Sequence, residues 1–562
     1  MEDETHVEWR EWGPEAFAAA AEADAPILLS LTATWCDHCH EMDAETYAVP
    51  TLAANVNDGF VPVRVDVDRH PRVRDRYNMG GFPSTVFLTP DGSILTGAGY
   101  LGPDGLRQVL ESVRGMWDEK GADAGRIPRP LRGDEPPAGD LTTEAETNML
   151  GQLTDQYDEV AGGWGTEPKF PLPGALEFAL KRDREMALRS FDAVSANVLD
   201  AHDGGFYRFA SERDWSGLHR EKLLDENAAL LRAFANAYLY TGREEYREPA
   251  ERTVDYLTTT LWTVDETGTG AFAGSQAPGD PESYTLEASD REAAAEPPVD
   301  ETVFAGANAL AVDALLTYHA YTDDERARRF AERALSSFRE HLLEDGVTVH
   351  YRDGGEATGA GALEARGGDD GERCLLSNQA RALAALTTAE SVLGPETGAL
   401  EDAVTAAEAT VDRLRAGDSF VDGPRTGAGL LDRPLRPLGA NVEFADAALD
   451  LAVLTGNERY REVARETLEA FAGASDRFGV QVAPYASVAS RLLEGSLAIR
   501  VADSPGSDLH RAALRIADHE KVVVPESDDL ESGTARVERG DRVSEPASSP
   551  DALSERVRTL LP

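Results

Sequence analysis

Apolar positions change their spacing along the chain. In the first 118 residues they fall in short runs. Pro26–Thr32 is a compact apolar run suited to a buried strand. Phe60–Asp66 alternates and predicts a second strand. Arg69–Tyr77 is short and polar and predicts a helix. Ser84–Leu88 and Ser93–Ala98 flank the turn signal Pro90-Asp91-Gly92 and predict a hairpin. A helical pattern after Thr32 stops at Val49-Pro50, and Pro103–Trp117 predicts a closing amphipathic helix. The order is β-α-β-α-β-β-α.

From Leu141 to about Leu493 the period becomes helical. Twelve segments, from Thr143–Tyr157 to Pro484–Leu493, come in antiparallel pairs with short turns, and glycine-rich loops separate alternate pairs. Phrases such as Tyr238-Leu-Tyr-Thr-Gly242, Tyr318-His-Ala-Tyr-Thr322 and Leu451-Ala-Val-Leu-Thr-Gly456 recur at helix ends. That weak repetition points to six helical hairpins closed into a toroid, with an irregular solenoid as the alternative. Between the two regions lies a stretch rich in Gly, Ala, Pro and charge, which reads as a linker. Beyond Leu493, Ser496–Ala502, Lys521–Pro525 and Thr534–Arg539 predict strands, and Asp508–Asp518 and Pro550–Leu560 predict helices.

Composition then narrows the function classes. Acidic residues number 102 against 54 basic ones, a net charge of -48 over 562 residues. Lysine occurs only at 120, 169, 181, 222 and 521, so nearly all the basic residues are arginine. The excess acid is spread along the chain, as on a surface adapted to very high salt. Nucleic acid is disfavoured as a partner, because phosphate neutralisation needs a basic face. Met1–Thr5 has neither a basic nor an apolar leader pattern, so no secretory signal and a cytoplasmic location are expected. No run of about 18 apolar residues predicts a membrane span.

Two of the three cysteines stand three positions apart in Thr34-Trp35-Cys36-Asp37-His38-Cys39-His40. Between a first strand and a helix in a βαβ pattern, Cys-x-x-Cys reads as a thioredoxin-like redox pair. Cys36 would sit at a helix N-terminus, where the dipole and unpaired N–H groups favour thiolate. Cys39 would resolve a mixed disulfide. Trp35 would shield the pair, and His38, when protonated, would favour thiolate. Phe82-Pro83 stands where a thioredoxin fold places a cis-proline. Haem attachment through His40 would need a small exported helical domain. A zinc site on Cys36, His38, Cys39 and His40 lacks a second ligand pair from a distant segment. An inert pair is the remaining alternative. The redox reading is preferred, with no cofactor and no metal, and with a protein disulfide or small thiol as partner. Cys374 reads as a buried core thiol. The predicted fold class is therefore multidomain: an α/β thioredoxin-like domain (1–118), a linker (119–140), an (α/α)6 six-hairpin barrel (141–495) and a small α/β C-terminal appendage (496–562).

The loops between hairpins carry the other candidates. They are Lys169, Tyr207, Arg208, His219, Glu221, Lys222, Glu226, Asn227, Asp300, Asn308 and Asn441. In a toroid such loops converge on one mouth. His219 and Glu221 with Glu226 would supply acid/base groups for carbohydrate-type chemistry, with a carbohydrate-like ligand in the barrel. The competing reading of each carboxylate is a helix cap or a solvated face.

These motifs resemble one family, the YyaL-like proteins named after spermatogenesis-associated protein 20. Cys36-Asp-His-Cys39-His40-Glu-Met42 is similar to the family's Cys-His-Trp-Cys-His-Val-Met. Gly81-Phe82-Pro83-Ser-Thr-Val-Phe-Leu-Thr-Pro-Asp-Gly92 differs little from its Gly-Trp-Pro-Leu-Thr-Val-Phe-Leu-Thr-Pro-Asp-Gly. Pro168-Lys169-Phe170-Pro171 agrees, and His219–Asn227 resembles His-Phe-Glu-Lys-Met-Leu-Tyr-Asp-Asn with Asp225 and Glu226 in place of Tyr and Asp. The resemblance implies a thioredoxin-like domain, a six-hairpin toroid and a short α/β tail. The leading expectation is a thiol–disulfide redox protein whose barrel binds substrate or partner. The alternatives are a carbohydrate-active isomerase, epimerase or hydrolase barrel with an accessory thioredoxin domain, and a non-catalytic scaffold.

Overall fold

The computed structural model describes residues 5–133, 135–264, 269–286, 288–291, 293–353 and 373–560. Met1–Glu4, part of the stretch read for a leader, lies outside the described residues. By its contacts the chain divides into two compact units. The first holds residues 1–135 and also Asp422–Leu435, and the second holds most of the remainder. Among the described residues no helix is long and apolar enough to cross a membrane.

The first unit has a four-stranded sheet in the order β2-β1-β3-β4, made of β1 (Ile27–Thr32), β2 (Val61–Asp66), β3 (Ser84–Leu88) and β4 (Ile94–Ala98). β1 pairs parallel with β2 (Ile27 opposite Val61) and antiparallel with β3 (Leu31 opposite Ser84). A central strand covered on both faces needs a near-continuous apolar run, and Ile27, Leu28, Leu29 and Leu31 are fully buried. The helices are α1 (Pro14–Ala23), α2 (Asp37–Met42), α3 (Pro50–Gly59), α4 (Pro71–Tyr77) and α5 (Pro103–Lys120). α5 buries Leu106, Leu110 and Val113, one stripe at helical spacing, onto a core with Leu28, Val56 and Phe87. Each such side chain stabilises the unit by about 1.5–3 kcal/mol.

The sequence pattern did not predict α1 or α3. α1 buries Ala16, Phe17 and Ala20, so most of its apolar stripe is alanine and barely registers as hydrophobic. In the sequence Pro50 reads as a stop. It ends the preceding helical stretch but also opens α3 at its first position, where a missing N–H costs nothing.

α4 reads as polar, yet Arg72 and Arg76 on it are buried. Spaced one turn apart, they grip the segment Asp422–Leu435. Arg76 Nη1 is 2.7 Å and Arg72 Nε 3.4 Å from Asp422 Oδ2. Arg76 also donates to the carbonyls of Leu430 (2.9 Å) and Arg433 (2.7 Å), and Arg72 to those of Pro424 and Leu431 (2.6 Å each). A segment distant in sequence is thus folded into the first unit by guanidinium groups.

The second unit is built on twelve long helices, each within a few residues of a predicted one: α6 (Glu144–Gln156), α7 (Pro173–Arg182), α8 (Arg184–Val198), α9 (Leu224–Thr241), α10 (Glu244–Thr259), α11 (Ala305–Thr322), α12 (Glu325–His341), α13 (Leu376–Leu393), α14 (Ala399–Leu414), α15 (Leu438–Thr455), α16 (Glu458–Glu469) and α17 (Pro484–Glu494). α7, α9, α11, α13, α15 and α17 pack neighbour to neighbour, and α17 returns to α7, which closes an inner ring. The inner helices are buried nearly all round. α11 buries twelve of its eighteen residues. Outer helices such as α12 bury one stripe (Ala327, Ala331, Ala334, Leu335, Phe338) and expose the rest. The tail adds a sheet with Leu497–Val501 at its centre, parallel to Val522–Val524 and antiparallel to Ala535–Arg539. Val522 and Val524 pack on Leu454 at the C-terminal end of α15.

Candidate functional site: a cysteine pair and a charged cavity

In the first unit Cys36 and Cys39 form a disulfide. Cys36 is the N-cap of α2, and its Sγ accepts a hydrogen bond from the Cys39 N–H at 3.2 Å. α2 runs directly into a π-helical turn, Asp43–Tyr47, so helical backbone continues behind the pair. Both cysteines are buried, Cys36 at 6% exposure and Cys39 at 2%. Trp35 donates its Nε1–H to Asp68 Oδ2 at 2.6 Å, and its ring meets Phe82 edge-on at 6.0 Å. The Phe82–Pro83 peptide is cis, and Pro83 is buried immediately before β3. His38 points outward, 62% exposed, with Nδ1 3.1 Å from Glu41 Oε2. His40 Nε2 lies 3.0 Å from the Thr34 carbonyl oxygen.

In the second unit a cavity of about 500 Å³ runs inside the helix ring. Of the loop residues named from the sequence, Glu226 lines it. Burial first, then the charge of Asp225, pushes its carboxyl up to about 8, against the pull of Arg208. Arg208 Nε lies 3.6 Å from Glu226 Oε1, and Arg208 Nη1 lies 3.4 Å from buried Glu221. His219 stacks on Phe209 at 3.9 Å, contacts Ser211 Oγ at 3.1 Å, and approaches Glu221 at 3.8 Å.

The other candidates have local structural partners. Lys169 is fully buried, 3.2 Å from Asp158 and bonded to the Gly162 carbonyl, so it staples the glycine-rich turn before it. Lys222 does the same for the next loop, with Asp200 at 2.9 Å and the Gly204 carbonyl at 2.8 Å. Tyr207 is buried with the Lys222 ammonium 5.3 Å from its ring centre, and burial raises its pKa. Asp300 accepts from the Thr302 hydroxyl at 2.7 Å in a tight turn.

The three asparagines form one repeated device. Each is buried at the fourth residue of an inner helix. Asn227 Oδ1 accepts from Phe206 N–H (2.6 Å), Asn308 from Phe272 N–H (2.8 Å) and Asn441 from Phe420 N–H (2.8 Å). Each side-chain amide donates back to the same phenylalanine's carbonyl, at 3.1, 2.9 and 3.0 Å. Each also donates to the residue four positions earlier, Leu223, Phe304 or Pro437, at 2.9, 3.0 and 2.9 Å. On α13 Gln379 takes this position, bonding Thr348 N–H at 2.7 Å and the Gly346 carbonyl at 2.9 Å. A buried amide must be satisfied, and these are satisfied by backbone rather than by a ligand.

The sequence reading missed most of the cavity. Arg232 bonds Glu177 at 3.0 Å and Asp313 at 2.8 Å. Arg491 bonds Asp450 at 2.5 Å and also Asp446. Arg381 lies 3.3 Å from Glu443 and 3.6 Å from Asp225. Burial pushes the Asp450 carboxyl up to about 6 despite Arg491. The available signal was a lone charge in an otherwise apolar helix, as at Asp313 in Ala-Val-Asp-Ala-Leu-Leu or Arg232 in Leu-Leu-Arg-Ala-Phe.

The fold and the cysteine site define a thioredoxin-like domain joined to an (α/α)6 helical ring. Residues 1–127 match the family model Thioredox_DsbH, described as a protein of unknown function, DUF255. Spermatogenesis-associated protein 20 of Homo sapiens is 30% identical over 292 residues, which are 45% of this chain and 37% of that protein. Uncharacterized protein B0495.5 of Caenorhabditis elegans is 29% identical over 271 residues, 42% of this chain and 37% of that protein. The chain thus spans little more than a third of the length of these relatives. Thioredoxin-1 of Drosophila melanogaster is 33% identical over 79 residues, 14% of this chain and 71% of that protein. These matches agree with the resemblance carried by the cysteine and Phe82-Pro83 motifs. Among solved structures, a sugar epimerase from a ruminal bacterium aligns with a TM-score of 0.45 at 14% identity, over 58% of this chain and 84% of that one. A family 76 glycoside hydrolase from a bovine Bacteroides thetaiotaomicron strain aligns with a TM-score of 0.45 at 15% identity, over 62% and 77%.

Proposed function

We propose that the protein exchanges thiols and disulfides through Cys36 and Cys39. The observation that carries this reading is the Cys36–Cys39 disulfide at a helix N-terminus, with Cys36 Sγ already accepting a backbone N–H. In the reduced protein the same N–H and the helix dipole favour thiolate at Cys36. That thiolate attacks one sulfur of a partner disulfide, forms a mixed disulfide and expels the other sulfur as thiolate. The Cys39 thiolate then attacks Cys36 Sγ, frees the partner's second sulfur and closes the Cys36–Cys39 bond. Two electrons pass to the partner, and a small dithiol returns them. Pro83 and Trp35 frame the site for an extended partner segment, and His38 and Glu41 set its outer rim.

The test is a redox titration in glutathione or dithiothreitol buffers in molar KCl, which screens the net charge, with mass-spectrometric thiol trapping. Cys36 and Cys39 should interconvert as a pair, and Cys36→Ser should abolish disulfide reduction. A pair that never interconverts at any poise would falsify the proposal.

A second reading concerns the cavity: it binds a neutral, polyhydroxylated ligand of carbohydrate type. Glu226 favours it, since a carboxyl that holds its proton near pH 7 can donate a hydrogen bond or a proton to a ligand oxygen. Calorimetric titration with mono- and disaccharides tests it. Binding that weakens as pH rises through about 8 supports it, and no heat with any sugar sinks it.

A further inference from the structure

The chain has five lysines, and four of them have an ordinary fate. Lys169 and Lys222 are paired with Asp158 and Asp200, and Lys181 lies 2.8 Å from both Asp518 and Glu520. Lys120 is exposed at the end of α5. Lys521 differs. It precedes the tail strand Val522–Val524 and lines the cavity of the second unit, at the end opposite Glu226, where the inner helices finish. Its Nζ donates to the Asp518 backbone carbonyl at 3.2 Å and lies 5.0 Å from the centre of the Tyr321 ring. Among the described residues no carboxylate lies within ion-pair distance of it, in a chain where carboxylates outnumber cations nearly two to one.

We propose that Lys521 is a carbonyl-binding amine: its Nζ forms an imine with a small, neutral hydroxyaldehyde or hydroxyketone that enters the barrel cavity. The neutral amine attacks the carbonyl carbon, and a proton passes from nitrogen to oxygen to give a carbinolamine. Loss of the hydroxyl as water leaves the imine, so amine plus carbonyl gives imine plus water with no redox partner. Three observations support the assignment. An ammonium with no anionic partner in a cavity is destabilised relative to the free amine, and burial pushes this one down to about 7. Lys181 adds to that effect and Asp518 opposes it. Second, the neighbouring groups are protic: Tyr321 under the ammonium, and His519, whose Nδ1 lies 3.1 Å from Tyr240 Oη. Third, the cavity selects against anions. Its carboxylates outnumber its cations, and Arg232, Arg381 and Arg491 are each held between two carboxylates. A neutral carbonyl compound therefore fits better than a keto acid.

The proposal shares the cavity with the second functional reading but does not use Glu226. It is tested on the intact protein at pH 7 with glycolaldehyde and cyanoborohydride, followed by peptide mapping of all five lysines, with glyoxylate as the anionic comparator. The expected result is an adduct at Lys521 that forms at least about tenfold faster than at Lys120, since far more of its amine is unprotonated at that pH. Its rate should be half-maximal near pH 7, and glyoxylate should react more slowly there than glycolaldehyde. Labelling of Lys521 no faster than Lys120, or none, overturns the proposal. Sugar binding in calorimetry without a Lys521 adduct sinks this inference alone, and an adduct without sugar binding sinks the second reading alone.

Discussion

The cysteine site and the cavity are assembled in opposite ways. Around the cysteines most contacts are local: Cys39 N–H to Cys36 spans three residues, His38 to Glu41 three, and His40 to Thr34 six. Trp35 with Asp68, the Phe82–Pro83 corner and the Tyr100 ring beside His38 come from farther away. In the cavity nearly every bond is long-range. Arg232 reaches 55 residues to Glu177 and 81 to Asp313, and Arg491 reaches 41 to Asp450. A site written into consecutive residues keeps its chemistry through drift elsewhere in the chain. A site summed over a ring of helices depends on each helix facing the right way.

The sharpest way to break this contrast is at the ionic tie between α4 and Asp422. Asp422→Ala leaves Arg72 and Arg76 buried without their carboxylate, and urea unfolding should show the first unit losing about 3–5 kcal/mol. An unchanged midpoint would mean that the carbonyls around the two arginines suffice. In the ring, Asn308→Ala strips partners from the Phe272 N–H and two carbonyls. It should cost the second unit about 1–3 kcal/mol in the same experiment and leave the thiol titration unmoved. Glu226→Gln separates the sites by pH. The carboxyl's native pKa, about 8, lies above the ordinary 4.5, so the native state holds the extra proton and stability falls as pH rises from about 4.5 to about 8. The variant should match the parent's Tm near pH 4.5 and exceed it increasingly toward pH 8. A constant offset would refute the assignment. The smallest effect belongs to His38→Ala. His38 and its partner Glu41 are both exposed, so stability should move by less than about 0.5 kcal/mol. Any change in the rate of disulfide exchange would then report on chemistry alone.

The same contrast sets what was legible in the sequence. The cysteine motif, the Phe82-Pro83 corner and the twelve barrel helices are patterns within a few residues or one period, and they could be read directly. α1 hid because alanine packs without looking hydrophobic, and α3 because a proline that stops one helix can start the next. The loop polar residues stand out in the sequence by chemical type alone. Lys169, Lys222 and the asparagines proved to spend their polarity on backbone, since a tight glycine turn or an open helix start needs partners as much as a ligand does. Arg232, Asp313 and Arg491 were passed over because their value depends on which helices are neighbours, and one helix's sequence does not state that.

The asparagine clasp also sets the rotational phase of the three inner helices that carry it. Five residues beyond Asn227, Asn308 and Asn441 stand Arg232, Asp313 and Asp446, all on the cavity wall. Five residues of α-helix turn about 140° past a full revolution, so a side chain pinned outward to a strand leaves its fifth successor turned toward the axis. Each clasp works like a key in a shaft, and the ring's charges are aligned from outside the ring. On that view, slipping a residue between clasp and charge should scramble the cavity while leaving the helices themselves intact.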